Sequence, residues 1–428
     1  MIALLLAALA GGPVEGPDPA GHTEGAELEH ARPGGRFSHY QFGYVDIGYF
    51  VPFGDGVAYD HDRMNDVLGP GPDQAYLKVP WVFYGDPWAN TINSQGDSAD
   101  LGGDRSNIPR YDPIDSNGRP GFLVNRFSHG LAVDRGDRLG LRARLNFEPR
   151  SGLLGHAGDL IEVDTVYVVW RPLQNADLKL YAGRLESGFG REYRYRHASA
   201  RVGITPSIVS RYLVGLQTGV RARGTFRRWL GYSAAITNGG STTEKFGHLS
   251  NDLDDNGVPT GTVRVGVLTR RPVRLELGVS GQLGPQDAQP HPGILAWQVG
   301  VDGRLDAGPL VVQVEGVISH QPGDPDLPRS IERLDARGGY VDTQLWVRPE
   351  LALIGRVDWR DADLLAWPNL YISNVLRVTG GASVHLNQDV AIKAEYLHLA
   401  ELMQGTSIVD DVFTTSLVFS YETRQMEL

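Results

Sequence analysis

The chain has no cysteine, four methionines, and only four lysines among its 40 basic residues. Without cysteine there is no disulfide and no thiolate metal site. No stretch of eighteen consecutive apolar residues occurs, which excludes a membrane-spanning helix. Lysine occurs only at Lys78, Lys179, Lys245 and Lys393, so almost every cation is an arginine. Either nucleotide composition or a need for rigid, permanently charged groups gives that bias. The formal net charge of -11 excludes a general nucleic-acid role. There is no G-x-S-x-G element, no His-Glu-x-x-His element and no Gly-rich phosphate loop ending in lysine, so the chain does not read as an enzyme. Its 12 histidines are scattered, with His385 and His398 on candidate strands as isolated polar residues.

What is present is strand chemistry. The 54 glycines accompany short stretches rich in Val, Leu, Thr and aromatic residues. The first ten residues are apolar and end in Ala8-Leu9-Ala10, a small-x-small cleavage signal that predicts a signal peptide over 1–10. Residues 11–36, rich in Gly, Pro, Glu and His, read as a flexible periplasmic leader.

Alternation carries the fold assignment. Over 138–148, Leu139, Leu141, Ala143, Leu145 and Phe147 share one face, and Arg138, Arg142, Arg144, Asn146 and Glu148 share the other. The pattern returns over 273–282 (Val273, Leu275, Leu277 and Val279 against Arg274, Glu276 and Gln282). It returns again over 294–306 (Trp297, Val299 and Val301 against Asp302, Arg304 and Asp306), over 351–360 (Leu351, Leu353 and Val357 against Arg356, Asp358 and Arg360) and over 412–422. A sandwich also alternates, but sandwich strands are commonly about five or six residues long. Here eleven residues, tilted about 40°, span on the order of 27 Å, the height of the apolar band of an outer-membrane barrel.

Strands are predicted near 39–53, 121–134, 137–149, 160–171, 176–186, 211–225, 228–238, 262–271, 273–283, 294–307, 310–321, 339–349, 351–361, 374–387, 389–400 and 411–422. Short connections at Asp134–Asp137, Phe226–Arg227, Pro272, Gly308–Pro309, Glu350 and Gln388 alternate with long ones at 54–120, 187–210, 239–261, 284–293, 322–338, 362–373 and 401–410. Short periplasmic turns and long extracellular loops mark a transmembrane antiparallel β-barrel. We therefore expect one all-β barrel domain over 37–428, of about sixteen strands with eighteen as the alternative, in the outer membrane of a Gram-negative cell. Its partners would be outer-membrane lipid, lipopolysaccharide and the barrel assembly machinery. Phe147, Trp170, Tyr212, Phe226, Trp229, Trp297, Trp359 and Tyr421 suit interface girdles. A loop as long as 54–120, with Trp81-Val-Phe-Tyr-Gly-Asp-Pro-Trp88 inside it, is expected to fold as a lid or plug.

Three segments carry a family resemblance. Leu180-Tyr-Ala-Gly-Arg184 ends one strand, Arg211-Tyr-Leu-Val-Gly215 follows the next long loop, and Gly231-Tyr-Ser-Ala-Ala-Ile-Thr-Asn-Gly239 closes a hairpin. Together with Ile392-Lys-Ala-Glu-Tyr396, they resemble bacterial porins, in particular the phosphate-selective porin O and P type. The resemblance implies passive diffusion of small hydrophilic or anionic solutes, a homotrimer, and a loop 187–210 folded into the barrel. The family's lysine-rich phosphate cluster has no counterpart here. A terminal aromatic residue is also missing: Tyr421 is followed by Glu422-Thr-Arg-Gln-Met-Glu-Leu428.

In a pore, constriction loops and charge rings choose the solute. The candidates in loop 187–210 are Arg191, Arg194, Arg196 and Arg201, interleaved with Tyr193 and Tyr195, with Arg184 at the entrance and Arg211, Arg221 and Arg223 on the flanking strand. Guanidinium forks suit phosphate or carboxylate groups. Pairing with acids such as Glu186 and Glu192 is the alternative. Further lumen-facing candidates are Arg142, Arg144, Arg274, Glu276, Arg304, Arg356 and Asp358. Asp252, Asp254 and Asn256, followed by Gly257, match the first half of a calcium loop, but the twelfth position is Val263, so no bidentate ligand completes it. No cofactor beyond that weak calcium candidate is expected.

Overall fold

In the computed structural model, residues 37–53, 57–58, 78–79, 121–147, 161–173, 176–213, 215–227, 229–239, 257–269, 273–285, 295–322, 333–364, 374–401, 409–423 and 426–427 are described. The strands are β1 (Phe37–Phe53), β2 (Gly121–Arg135), β3 (Leu139–Phe147), β4 (Ile161–Trp170), β5 (Asp177–Glu186), β6 (Leu216–Phe226), β7 (Leu230–Thr237) and β8 (Thr260–Thr269). They continue as β9 (Arg274–Pro285), β10 (Leu295–Ala307), β11 (Leu310–Pro322), β12 (Arg333–Arg348), β13 (Leu351–Leu364), β14 (Asn374–His385), β15 (Val390–Glu401) and β16 (Val409–Glu422). Each pairs antiparallel with its neighbours in sequence, and β1 pairs with both β2 and β16. The sheet is a closed sixteen-strand barrel, with no free edge to recruit another chain.

Closure fixes which face meets which solvent. Val299, Leu353 and Leu417 are 49, 45 and 43 % exposed on the outside, as are Leu277, Val279 and Val301. Arg142, Asp164, Arg356, Asp358 and Arg377 point inward and are buried. An apolar exterior around a charged interior is the reverse of a water-soluble sandwich and places the wall in lipid. Phe147, Trp170, Phe226, Trp229, Trp297 and Trp359 all lie on the outer surface. The side chain of Tyr212 lies outside the described residues.

Fourteen of the expected strands agree with the observed ones to within three residues. Two do not. The stretch from Arg211 is not strand: Ser210–Leu213 is a single helical turn, and β6 begins at Leu216. Val209 and Leu213, four residues apart, are both fully buried, so helical spacing serves the packing here. Strand β12 begins at Arg333 rather than 339, because Gly338-Gly339 is not a turn. A Cβ on Gly338 would stand 2.6 Å from Val209 Cγ1, so the glycine keeps the wall thin where the lumen is filled. The C-terminal tail returns to the wall: Met426 and Glu427 pair with His39 and Ser38 at the start of β1. Tyr421 lies on the wall with its hydroxyl 2.6 Å from His129 Nδ1.

The segments expected to be a signal peptide and leader (1–36) lie outside the described residues, as do Asp252, Asp254 and Asn256. So does loop 54–120, except for Val57–Ala58 paired with Lys78–Val79.

Candidate functional site

The segment between β5 and β6 leaves the wall at Ser187, whose amide donates to Gly215 O (2.8 Å), and turns into the lumen. Most of its residues are buried, although on a barrel exterior they would be solvated. Two stretches differ in how they are held.

The first stretch, 187–196, presents side chains to the wall. Phe189 is fully buried against Gly300 on β10. Gly190 has φ +64°, a conformation that disfavours a Cβ, and its amide donates to Ser280 Oγ at 3.0 Å. That turn aims the amides of Arg191 and Glu192 at Glu315 on β11 (2.7 and 3.0 Å), so one buried carboxylate caps the 3₁₀ turn Glu192–Tyr195. Arg191 then pairs with Glu276 on β9, and Arg194 Nη1 reaches the same carboxylate at 3.2 Å. Arg264 on β8 contributes a third guanidinium at 3.0 Å and also pairs with Asp302 (2.5 Å). The Tyr195 hydroxyl accepts from Arg191 Nη2 (2.9 Å) and from Arg304, whose Nε pairs with Asp306 at 2.6 Å. Burial opposes ionisation of Tyr195, but Arg191, Arg304 and Arg194 outweigh it and bring its pKa below the ordinary value. Arg196 pairs with Asp164 on β4 and lies 3.6 Å from Glu186.

The second stretch, 197–213, presents backbone. Lys393 Nζ on β15 donates to Ala198 O (2.6 Å), to Gly203 O (3.2 Å) and to Arg201 O. An ammonium has three donors, and here three carbonyls meet them. Glu395, two residues on, accepts from Ile204 N (2.7 Å), Thr205 N (3.0 Å) and Thr205 Oγ1 (2.8 Å). Arg356 on β13 donates to Thr205 O and Oγ1 at 2.5 and 2.6 Å, and Arg377 on β14 donates to Pro206 O. Both cations also share Asp358 (3.0 and 3.1 Å). Within the loop, Glu192 joins the stretches by accepting from Ser207 N at 2.6 Å and Oγ at 2.5 Å. Buried charges of this kind persist only when such partners are complete.

His197 stands at the junction. Its Nε2 is 3.3 Å from Glu186 Oε1 and its Nδ1 is 3.5 Å from the Tyr44 hydroxyl. Burial, then the guanidiniums of Arg144, Arg196, Arg126 and Arg201, hold its pKa well below the ordinary value. The ring is therefore neutral at pH 7.

The sequence candidates therefore separate. Arg191, Arg194 and Arg196 enter the lumen and meet carboxylates. The acid partners are mostly on the wall; of the two loop acids expected, Glu186 contacts Arg196, whereas Glu192 binds Ser207 instead. Arg201 Nη1 donates to the Arg196 carbonyl at 3.5 Å, and its own carbonyl accepts from Lys393. Arg221 is buried against the Tyr181 ring, 4.8 Å away. Arg223 is half-buried on β6. Arg184 donates to the Asp164 carbonyl at 3.2 Å. Arg211 sits on the helical turn rather than on a strand, and its side chain is outside the described residues. Arg142 pairs with Asp134 (2.8 Å), and Arg144 lies over Phe42 (4.9 Å), both inside the wall. Arg274 is exposed at the short-turn end of β9, 3.6 Å from Asp306, rather than inside with Glu276. Sequence reasoning missed Arg264, Glu315, Arg377, Lys393 and Glu395. The alternation Ala391, Lys393, Glu395 marked the last two as inward, but nothing local said what they would meet.

No family model matches the chain, and no curated protein matches it. Solved structures do. The outer membrane channel DcaP of Acinetobacter baumannii superposes with a TM-score of 0.57 at 11% identity, over 91% of this chain and 99% of that one. An anion-selective porin from Comamonas acidovorans gives 0.51 at 11%, over 90% and 100%. OmpT, an outer membrane protein of Vibrio cholerae in its trimer form, gives 0.50 at 10%, over 90% and 100%. At such identities the likeness establishes the porin-like fold. Closed barrels with a lipid-facing band are the form in which chains cross bacterial outer membranes, and that is where this one sits.

Proposed function

We propose that the chain is a diffusion channel for small hydrophilic solutes, narrowed by loop 187–213 and preferring anions. The observation that carries this reading is the loop itself, folded inside a charged, closed wall. Anion preference rests on the cluster at Glu276, where three guanidiniums meet two carboxylates, Glu276 and Asp302. Phosphate selectivity of the O and P type is not part of the proposal, because Lys393, the lysine that contacts the loop among the described residues, is turned onto backbone carbonyls. A homotrimer, as in the trimer form of the Vibrio neighbour, belongs to the same reading.

The test is conductance in planar bilayers, with reversal potentials in a salt gradient. Stepwise conductance with a chloride-shifted reversal potential is the expected result. A second reading, a non-conducting barrel that acts as an anchor or surface-binding protein, rests on the fully buried Phe189, Ile208, Val209 and Leu213 in the loop. Folded protein that never conducts selects it.

A further inference from the structure

Arg191, Arg194 and Arg264 come from two separate parts of the chain and converge on one carboxylate. A single acid does not need three guanidiniums, and Arg264 already has Asp302. Arg191 is also oriented independently of Glu276. Its amide is fixed by Glu315, and its Nη2 donates to Tyr195, whose hydroxyl Arg304 holds from the other side. Arg194 has the Tyr193 hydroxyl near Nε (3.4 Å) and the Tyr193 ring beneath it (5.7 Å). The donors are thus positioned by groups other than the acid they bind. Arg194 and Glu276 keep 16 and 12 % of their side-chain surface accessible, so the cluster opens to the lumen. Such an arrangement is a receptor for an oxyanion: planar forks, preset, with their charge directed at two oxygens.

We propose that Arg191, Arg194 and Arg264 form an oxyanion-binding site that the chain occupies with its own Glu276. The ligand class is the carboxylate or phosphate group of a small solute. This deepens the channel reading: a passing anion meets the arginines only by exchanging with Glu276, which keeps binding weak and release fast. A channel needs both.

Glu276→Gln keeps the shape and removes the charge. Detergent-purified wild type and E276Q are heated with and without inorganic phosphate, and both are tested in bilayers. Phosphate should raise the melting temperature of E276Q and leave wild type unmoved. In bilayers E276Q should become roughly tenfold more chloride-selective, the scale of one charge-assisted hydrogen bond, and phosphate should slow its chloride current. Glu276→Asp should behave as wild type. Folded E276Q that phosphate neither stabilises nor slows overturns the inference. If E276Q does not fold, Arg194→Gln decides: it removes the surplus positive charge, leaving two guanidiniums against Glu276 and Asp302, and the reversal potential should move toward cations. No movement overturns the proposal equally. Wild type that never conducts refutes the channel reading alone, because the phosphate-dependent melting of E276Q still reports the site.

Discussion

The two stretches of the lumen loop are anchored in opposite ways. In 187–196 the loop mainly supplies arginines and the wall supplies Glu276 and Asp164, with Ser280 and Glu315 taking the amides of the turn at 190–192. In 197–213 the wall supplies Lys393, Glu395, Arg356 and Arg377, and the loop mainly supplies peptide groups. Side chains anchored to side chains can be exchanged with a change in charge and little change in shape. Backbone anchored to buried charges cannot, because losing the wall residue strands several peptide groups at once. The first stretch is therefore where selectivity is written, and the second is where the shape of the lumen is held.

The largest effect is expected in the second stretch. Lys393→Met leaves the Ala198, Arg201 and Gly203 carbonyls without their ammonium and should cost about 3–5 kcal/mol. The loop should loosen and single-channel conductance should rise. Lys393→Arg should fail almost as badly although it keeps the charge, since a planar fork cannot meet three converging carbonyls. Thermal unfolding and bilayer recordings check both. If Lys393→Arg matches wild type, backbone anchoring is not what holds this half.

In the first stretch, Arg194→Glu, at the most accessible of the three guanidiniums on Glu276, should shift the reversal potential toward cations while the protein keeps its heat-modifiable migration. Unchanged selectivity would erase the contrast between the halves.

The smallest effect concerns the junction. His197 has a folded-state pKa held well below 6.5 by burial and its arginine neighbours, so below pH 6.5 the unfolded chain binds a proton that the folded chain refuses. Its contribution to stability is complete above that pH and declines as pH falls, by at most about 1.4 kcal/mol per pH unit. His197→Gln should flatten that decline in a pH series of melting curves. Identical slopes for the two proteins would mean that the ring protonates freely in place.

This contrast also explains how much could be read from the chain. Strand order, closure and facing follow from alternation, because a strand in lipid has to be apolar at every second residue: Val299, Leu353 and Leu417 faced outward as expected. Arg191, Arg194 and Arg196 were visible because an arginine-rich loop stands out by composition. Lys393 and Glu395 lie about 190 residues from the peptide groups they hold, and no local pattern records a partner that far away. Glu315 was hidden for the same reason. Arg211 misled because apolar residues at 209 and 213 serve a helical turn, and the Arg211-Tyr-Leu-Val run looks identical to the start of a strand.

The most direct test of the inserted loop uses the absence of cysteine. A Cβ on Gly188 would lie 3.3 Å from Ser233 Oγ on β7, so side chains at the two positions would be in contact. Gly188→Cys combined with Ser233→Cys should give, on mild oxidation of the folded protein in detergent, one intramolecular disulfide and no loss of heat-modifiable migration. Two thiols that stay free and react with maleimide in the folded barrel would place the loop away from the wall and contradict the account.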